Sequence, residues 1–435
     1  MKLSYHLGLM SIAFQVLARF LRCSMRVCPI PLFLWKEAIV FFAVDANLSA
    51  SSVPPEDIMH RRVLLAAAIA LPAAAAISGL AWAADPVKVG AIECLTGPAA
   101  KYGTMIKAGF DLAAEEINAK GGVLKGRSIE LIYEDSAAQK EQAINAAKKL
   151  IGRDHVVAIL GPTLSNEMFA AGPVANERAI PIIGTSNTAK GITEIGEYVF
   201  RTSLPESDVL PVTLKKTQAK YGIKKVALLY SNDDAFTKSG FDVFKENLEK
   251  LGIEIATIET FSVKDTDFSA QLTKIKSLNV DALVVSALAE AGGGLVLQAR
   301  QLGIPKTVPI IGGNGFNSPK IAEIAGDAAD GVVIGSPWFI AKEGAQNKGF
   351  VEAFRKKYNQ EPDQFAAQAY DTMYILAAAF DRAGEADSKK LRDALTKSEN
   401  NGLLGPFRFG ADRSPATAEG VVVTTIKGGK FTLLQ

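Results

Sequence analysis

The feature that most constrains this chain is a regular alternation of short apolar runs with amphipathic stretches of 12–18 residues. Runs rich in Val, Ile and Leu predict nine strands, over residues 87–92, 128–133, 156–160, 180–183, 226–230, 253–261, 282–285, 308–311 and 331–334. Strands that are apolar on both faces and joined by helices form parallel sheets covered on both sides. Such sheets place their functional sites beyond the carboxyl ends of the strands.

The first amphipathic stretch shows the spacing that predicts a helix. In residues 108–119, the side chains of Leu112, Ala113, Glu116 and Ile117 fall on one helical face. The pair Gly121-Gly122 then ends the predicted helix. We therefore expect an α/β fold.

The first 83 residues stand apart from this alternation. They include a basic start at residues 60–62, an apolar run at 63–80 and the small-x-small triplet Ala81-Trp82-Ala83. This order predicts a signal peptide over residues 59–83. A permanent membrane anchor is the alternative, because about 18 apolar residues can span a bilayer.

The charge balance excludes a surface that binds nucleic acid through bulk charge. The whole chain has 48 basic and 46 acidic residues, of which residues 1–83 hold seven and four. Residues 84–435 therefore hold 41 basic and 42 acidic residues, a net charge of −1. A nucleic-acid surface would need a basic excess or a basic patch.

Cysteine and histidine are too few for the usual metal and catalytic sites. Beyond the predicted leader the chain keeps only Cys94 and His155. They cannot form an internal disulfide or a zinc site of the usual ligand types. We expect Cys94 to pack as a small buried residue and His155 to lie where a loop meets a strand. No G-x-S-x-G or phosphate-loop motif occurs, so we expect no enzyme activity, no metal and no cofactor.

Six short motifs stand out, five at the predicted strand and helix ends and the last within a late predicted helix. They occupy residues 95–103, 117–123, 134–136, 160–165, 184–188 and 369–371. Together and in this order they resemble the periplasmic solute-binding proteins of branched-chain amino acid ABC uptake systems. The resemblance extends from about residue 85 to the C terminus. It implies a type I periplasmic-binding clamshell, with two Rossmann-like lobes joined by three crossover strands. Its implied boundaries are residues 84–205 and 339–410 for lobe 1, and 206–338 and 411–435 for lobe 2.

The loops of lobe 1 carry the expected carboxylate site. Ser165 stands where a strand turns into a helix around residues 166–175, and a helix start offers free N–H groups to an anion. Capping of its own helix is an equal alternative for Ser165. The resemblance assigns Ser165 to a carboxylate, Ser186 to a backbone contact and Thr188 to a hydroxyl contact. It also assigns Tyr102 to an aromatic wall, with a partly buried helix-start tyrosine as the alternative.

Lobe 2 departs from the family pattern. Asn314 stands where the family commonly has an acidic residue for an ammonium group, and Leu288 where branched-chain amino acid binders tend to have an aromatic residue. Glu290 either restores the missing charge or is a solvated acid at a helix start. Phe236 is the candidate aromatic residue of this lobe. Further candidate partners for an ammonium group are Asp233 and Asp234.

These departures leave two ligand classes open. An aliphatic or branched-chain amino acid fits lobe 1 and is the first choice. An aromatic or aliphatic carboxylic acid, or an amide, needs no carboxylate partner in lobe 2 and is the alternative. A ligand sensor of the same fold is a further alternative. The expected partners are an inner-membrane ABC permease and its ATPase, and the expected form is a periplasmic monomer that binds no nucleic acid.

The predicted signal peptide at residues 59–83 leads to the first testable prediction. A signal peptide should stand at the N terminus, so we hypothesise that Met59 is the true start and that residues 1–58 are an over-extended N terminus. We then expect N-terminal sequencing of the exported protein to begin near Ala84 or Asp85. A mature chain that begins at Met1 would contradict the hypothesis.

Overall fold

A computed structural model describes residues 85–416 and 420–435 of the chain. The predictions for residues 1–58 and for the signal peptide at 59–83 lie outside the described residues. Within the part that is described, no helix combines the length and the apolar character that crossing a bilayer would require.

Five parallel strands form the first sheet, in the spatial order β2-β1-β3-β4-β5. They are β1 Val87–Glu93, β2 Ile129–Asp135, β3 Ile159–Leu160, β4 Ile182–Gly184 and β5 Val199–Arg201. Successive side chains enter two different hydrophobic clusters, with Ala91 and Leu160 in one and Ile92 and Ile159 in the other. Both faces of the sheet are therefore buried at its inner strands, which is why β1, β3 and β4 read as apolar runs.

Seven strands form the second sheet, in the order β14-β13-β10-β9-β8-β6-β7. They are β6 Lys225–Ser231, β7 Glu254–Phe261, β8 Ala282–Ser286, β9 Ile310–Gly312, β10 Val332–Ser336, β13 Val422–Lys427 and β14 Lys430–Leu433. Strands β6 to β10 run parallel, whereas β13 and β14 close one edge as antiparallel strands. A separate hairpin joins β11 Glu399–Gly402 to β12 Gly405–Arg408.

Helices connect most of the successive strands up to β10, and three further helices follow β10. In chain order they are α1 Ala100–Ala119, α2 Lys140–Gly152, α3 Ser165–Glu177, α4 Glu206–Tyr221, α5 Ala235–Lys250, α6 Ser269–Ser277, α7 Ala289–Gln301, α8 Lys320–Ala325, α9 Ala345–Tyr358, α10 Gln364–Ala383 and α11 Ser388–Leu395. Helix α10 packs against α1, since the Tyr370 hydroxyl donates to Glu116 Oε2 at 2.7 Å. The late helices therefore return to the first sheet.

The expected α/β fold is confirmed, and all nine predicted strands are present. Their ends shift by up to three residues, as at the strand predicted over 156–160, which is regular only over Ile159–Leu160. The three-residue strand β5 and the polar hairpin β11–β12 were not predicted, because neither forms an apolar run of useful length. The antiparallel strands β13 and β14 depart from an all-parallel arrangement.

The chain passes three times between the second sheet and the part that contains the first sheet and the late helices, after β5, after β10 and after β12. The predicted lobe boundaries at 205/206, 338/339 and 410/411 fall in these connections and stay predictions. We use lobe 1 for the first sheet with the helices that pack on it, α9 to α11 included, and lobe 2 for the second sheet with its helices.

The contact between α1 and α10 generates the second prediction. A Cβ atom on Gly109 would lie 2.2 Å from the Ala366 carbonyl oxygen and 2.9 Å from Ala369 Cβ. Replacing Gly109 with Ala should therefore force the helices apart and lower the free energy of unfolding by about 1–3 kcal/mol, measured by chemical denaturation.

Gly349 provides the matched control for this prediction. It lies inside helix α9, and a Cβ atom there would meet nothing within 4 Å. The change Gly349→Ala should leave stability unchanged or raise it by up to about 1 kcal/mol, since Ala restricts the unfolded chain more than Gly does. Equal destabilisation by the two substitutions would contradict the close helix contact.

Candidate functional site

A narrow cleft lies where loops of the two lobes meet. Several of its residues follow the carboxyl ends of strands β3, β4, β8 and β9, the edge that parallel sheets use for ligands. The cleft is lined by Tyr102, Thr163, Leu164, Ser165, Ser186, Phe236, Leu288, Asn314, Gly315 and Phe365. Five of the seven site residues predicted from sequence are in this set: Tyr102, Ser165, Ser186, Phe236 and Asn314.

Ser165 is the first residue of helix α3 and does not cap it. The residue before it, Leu164, has its N–H bonded at 3.0 Å to the carboxylate of Glu167, which reaches back from the first turn. The Ser165 hydroxyl oxygen makes one long contact, accepting from the Ala189 N–H at 3.5 Å. The Ser165 hydroxyl proton and the first N–H groups of α3 are therefore left for an anion in the cleft.

Ser186 and Thr188 lie beside Ser165 in different settings. The Ser186 hydroxyl donates to the Thr163 carbonyl oxygen at 2.6 Å, so its proton is already used. Thr188 does not line the cleft, and its Oγ1 is buried without a hydrogen-bond partner among the described residues. Of these two predicted contacts, only Ser186 faces the cleft.

The middle of the cleft is apolar. Phe365 packs edge-on against Tyr102, with ring centroids 4.9 Å apart. Phe236, in the first turn of α5, and Leu288, just before α7, close the wall from lobe 2. Leu164 completes the wall from lobe 1. This lining suits an apolar body of modest size.

Asn314 also lines the cleft and is only 6% exposed. Its backbone N–H donates to Glu206 Oε1 at 3.2 Å, and its Oδ1 accepts from Gln364 Nε2 at 2.6 Å. Burial raises the pKa of Glu206 to about 8. Sequence reasoning missed Glu206, because an acid in the first turn of a helix ordinarily indicates only a favourable helix dipole.

The acids nominated as ammonium partners lie outside the lining of the cleft. Glu290 is half-buried in the first turn of α7, where burial raises the pKa of its carboxyl. Asp234 caps α5 by accepting the Thr237 N–H at 2.9 Å. Asp233 is exposed and accepts the Val263 N–H at 2.9 Å. Among the described residues, no Asp, Glu, Lys or Arg lines the cleft.

A buried polar network lies beneath the Ser165 loop. Thr163 Oγ1 accepts from the Cys94 N–H at 2.9 Å and donates to Glu93 Oε2. The Cys94 thiol donates to the Glu167 carboxyl at 3.3 Å. Burial raises the pKa of both Glu93 and Cys94. Cys94 is buried as expected, but its surroundings are polar rather than apolar.

Hydrogen bonds join the lobes across the cleft. The Tyr102 hydroxyl donates to the Gly315 carbonyl oxygen at 2.7 Å and accepts the Ala289 N–H at 2.7 Å. Asn166 Oδ1 accepts the Ala235 N–H at 3.1 Å, and its Nδ2 donates to a carboxylate oxygen of lobe 2. The described lobes therefore lie in contact, and the Tyr102 hydroxyl is fully used in that contact.

Among the described residues, no group of three or more His, Cys, Asp or Glu side chains could hold a metal ion. His155 is exposed in a loop with a left-handed backbone, φ 56°, just before the apolar residues that lead into β3. That is the loop position expected for it from sequence.

The Tyr102 bridge generates the third prediction. Replacing Tyr102 with Phe keeps the ring but removes both bonds to lobe 2, which should weaken the contact between the lobes by about 1–3 kcal/mol. We expect a larger radius of gyration by small-angle X-ray scattering. Tyr370→Phe is the control, because the Tyr370 hydroxyl bonds only within lobe 1. Unchanged scattering of Tyr102→Phe would contradict the bridge.

Comparisons with known proteins agree with this architecture. A family model described as periplasmic binding protein matches residues 86–430. A leucine-, isoleucine-, valine-, threonine- and alanine-binding protein of Pseudomonas aeruginosa is 32% identical over 328 residues, covering 74% of this chain and 86% of that protein.

Solved structures extend the similarity. The branched-chain amino acid transporter substrate-binding protein LivJ of Streptococcus pneumoniae, in complex with isoleucine, is 32% identical with a TM-score of 0.74, covering 80% of this chain and 97% of that one. A solute-binding protein of Rhodopseudomonas palustris BisB5 in complex with 3,4-dihydroxybenzoic acid is 29% identical with a TM-score of 0.72, covering 80% and 95%. With its two α/β lobes, three crossings and interlobe cleft, this chain belongs to the periplasmic binding protein family, among the branched-chain amino acid binding proteins of ABC uptake systems.

Proposed function

We propose that this protein captures a small solute with a carboxylate and an apolar body and delivers it to an ABC importer. The observation that carries the proposal is the start of helix α3, where the Ser165 hydroxyl and free N–H groups face a cleft with apolar walls. A helix start stabilises an anion through its N–H groups and dipole. The aromatic and aliphatic walls then hold the rest of the solute.

The setting of this capture is the periplasm, reached through a signal peptide at residues 59–83. The family match supports this location, because its members are periplasmic binding proteins. The partners are an inner-membrane permease and its ATPase, which would receive the closed, loaded protein. We propose a monomer, since the cleft is completed by the two lobes of one chain.

Two ligand classes fall within the proposal. The relatives named for leucine, isoleucine and valine put an aliphatic amino acid first. A carboxylic acid without an amino group is the second candidate, favoured by the lack of a carboxylate among the described residues that line the cleft. The Rhodopseudomonas palustris structure with 3,4-dihydroxybenzoic acid supports this second class.

Removal of the Ser165 hydroxyl tests the carboxylate site and is the fourth prediction. A hydrogen bond to a charged group is worth about 1.5–3 kcal/mol, so Ser165→Ala should weaken binding of a carboxylate by roughly ten- to a hundredfold. Isothermal titration with leucine and with benzoate measures the loss for both ligand classes.

Ser207→Ala is the matched control, because Ser207 lies exposed in the first turn of another helix, α4. This control should bind both probes as the wild type does. If Ser165→Ala binds every carboxylate as tightly as the wild type, the proposed anion site is wrong.

A further inference from the structure

Glu93 is a fully buried acid at the end of strand β1. Its Oε1 is enclosed without a hydrogen-bond partner among the described residues. Burial raises the pKa of Glu93 well above its ordinary value, so the neutral form is favoured. A buried carboxyl with an unused oxygen costs stability that an apolar side chain would not. The presence of an acid at this position is therefore not explained by the stability of the fold.

A hydrogen bond joins the carboxyl of Glu93 to Thr163, in the connection between β3 and α3. It lies between Glu93 Oε2 and Thr163 Oγ1, and the same Oγ1 accepts the Cys94 N–H at 2.9 Å. The connection runs close to β1, since a Cβ atom on Gly161 would lie 2.3 Å from the Ile92 carbonyl oxygen and 2.8 Å from Glu93 Oε1. Two adjacent residues at the end of β1 therefore hold the side chain of Thr163.

The main chain of Thr163 extends this contact to the other loop of lobe 1 that reaches the cleft. Its carbonyl oxygen accepts the Ser186 hydroxyl at 2.6 Å and Asn187 Nδ2 at 3.5 Å. Both Thr163 and Ser186 line the cleft. Hydrogen bonds thus connect the ends of three strands, from Glu93 on β1 through Thr163 after β3 to Ser186 after β4.

A second contact from the end of β1 reaches the first turn of α3. Cys94 Sγ lies 3.3 Å from Glu167 Oε2, and the same oxygen accepts the Leu164 N–H at 3.0 Å. Ser165 therefore stands between two positions that β1 holds, one on each side of it in the chain. These contacts fix the turn that presents the Ser165 hydroxyl and the first N–H groups of α3.

We propose that Glu93 is a positioning residue of the anion site, which holds Thr163 so that Ser165 and the start of α3 face the bound carboxylate. This inference rests on the proposed function, since it takes the carboxylate to sit at Ser165. Glu93 does not line the cleft, so it acts through its bond to Thr163 and not by touching the ligand. In its neutral form it adds no negative charge beneath an anion.

Two substitutions of Glu93 separate the hydrogen bond from the volume of the side chain. Glu93→Met keeps a long side chain but cannot bond Thr163 Oγ1, and a binding site tolerates displacements of only about 0.5 Å. Isothermal titration with leucine and benzoate should then show the tighter of the two probes bound about tenfold more weakly. Glu93→Gln should recover most of this loss, because an amide can either accept from a hydroxyl or donate to it.

These variants can contradict the inference in two ways. A loss of less than about threefold in Glu93→Met shows that the bond does not position the site. A loss in Glu93→Gln as large as that in Glu93→Met shows that something other than the bond matters.

Thr163→Val tests the same bond from its other end and does not depend on Glu93→Met being able to fold. Val keeps the branched shape but loses the hydroxyl, so binding should again weaken about tenfold, and Thr163→Ser should recover most of the loss. The double variant of Glu93→Met and Thr163→Val should lose no more than the more affected single variant, since both remove one bond. Additive losses, or wild-type affinity in Thr163→Val, contradict the positioning role.

Ile129→Ala shows whether a loss of stability is enough to weaken binding. Ile129 is buried at the start of β2, at the opposite end of the first sheet from the cleft. Its truncation should lower the free energy of unfolding and leave the affinity for both probes unchanged. If Ile129→Ala weakens binding as much as Glu93→Met does, the effect of Glu93 is one of stability and the inference is wrong.

The Ser165→Ala variant separates this inference from the proposed function. If Ser165→Ala weakens binding and Glu93→Met does not, the positioning role is wrong and the carboxylate site stands. If the wild type binds neither probe, or if Ser165→Ala changes the affinity for neither, the anion site itself is wrong, and the inference falls with it.

Discussion

Parallel strand pairing is the constraint on which the cleft depends. Each parallel pair needs a helical crossover, so the loops after the strands gather at one edge of each sheet. Here the starts of α3, after β3, and α7, after β8, reach the cleft from opposite lobes. The first N–H of α7 is taken by the Tyr102 hydroxyl, which joins the lobes. The start of α3 remains free, so one helix start holds the lobes together while the other is left for an anion.

The buried carboxyl of Glu206 supports the Asn314 loop without adding negative charge to it. Burial raises the pKa of Glu206 from its ordinary value of 4.5 to about 8, so this group is protonated at neutral pH. Between these two values the native state holds a proton that the unfolded chain has released, and this contribution to stability falls as pH rises. An uncharged Glu206 can still accept the Asn314 N–H. A carboxylate ligand therefore enters without repulsion from the group behind Asn314.

Sequence patterns predicted the strands well, because each strand is indicated by residues that are adjacent in the chain. Short runs rich in strand-forming residues marked every parallel strand except β5, and the strand-end position of Ser165 and Asn314 followed from them. The bonds that complete the site join residues far apart in the chain. Tyr102 meets Gly315 across 213 residues, and Glu206 meets Asn314 across 108. No local pattern encodes such pairs, so the use of the Tyr102 hydroxyl and the role of Glu206 could not be predicted.

The hydrogen bonds already made within the protein decide which donor groups of the cleft remain available to a ligand. The Tyr102 and Ser186 hydroxyl protons are spent on the carbonyl oxygens of Gly315 and Thr163. The free groups are then the Ser165 hydroxyl and the first N–H groups of α3. The apolar wall of the same cleft lies beside them. A carboxylate with an apolar body therefore satisfies these donors and buries its carbon atoms, whereas a cationic group would face donors at the start of α3.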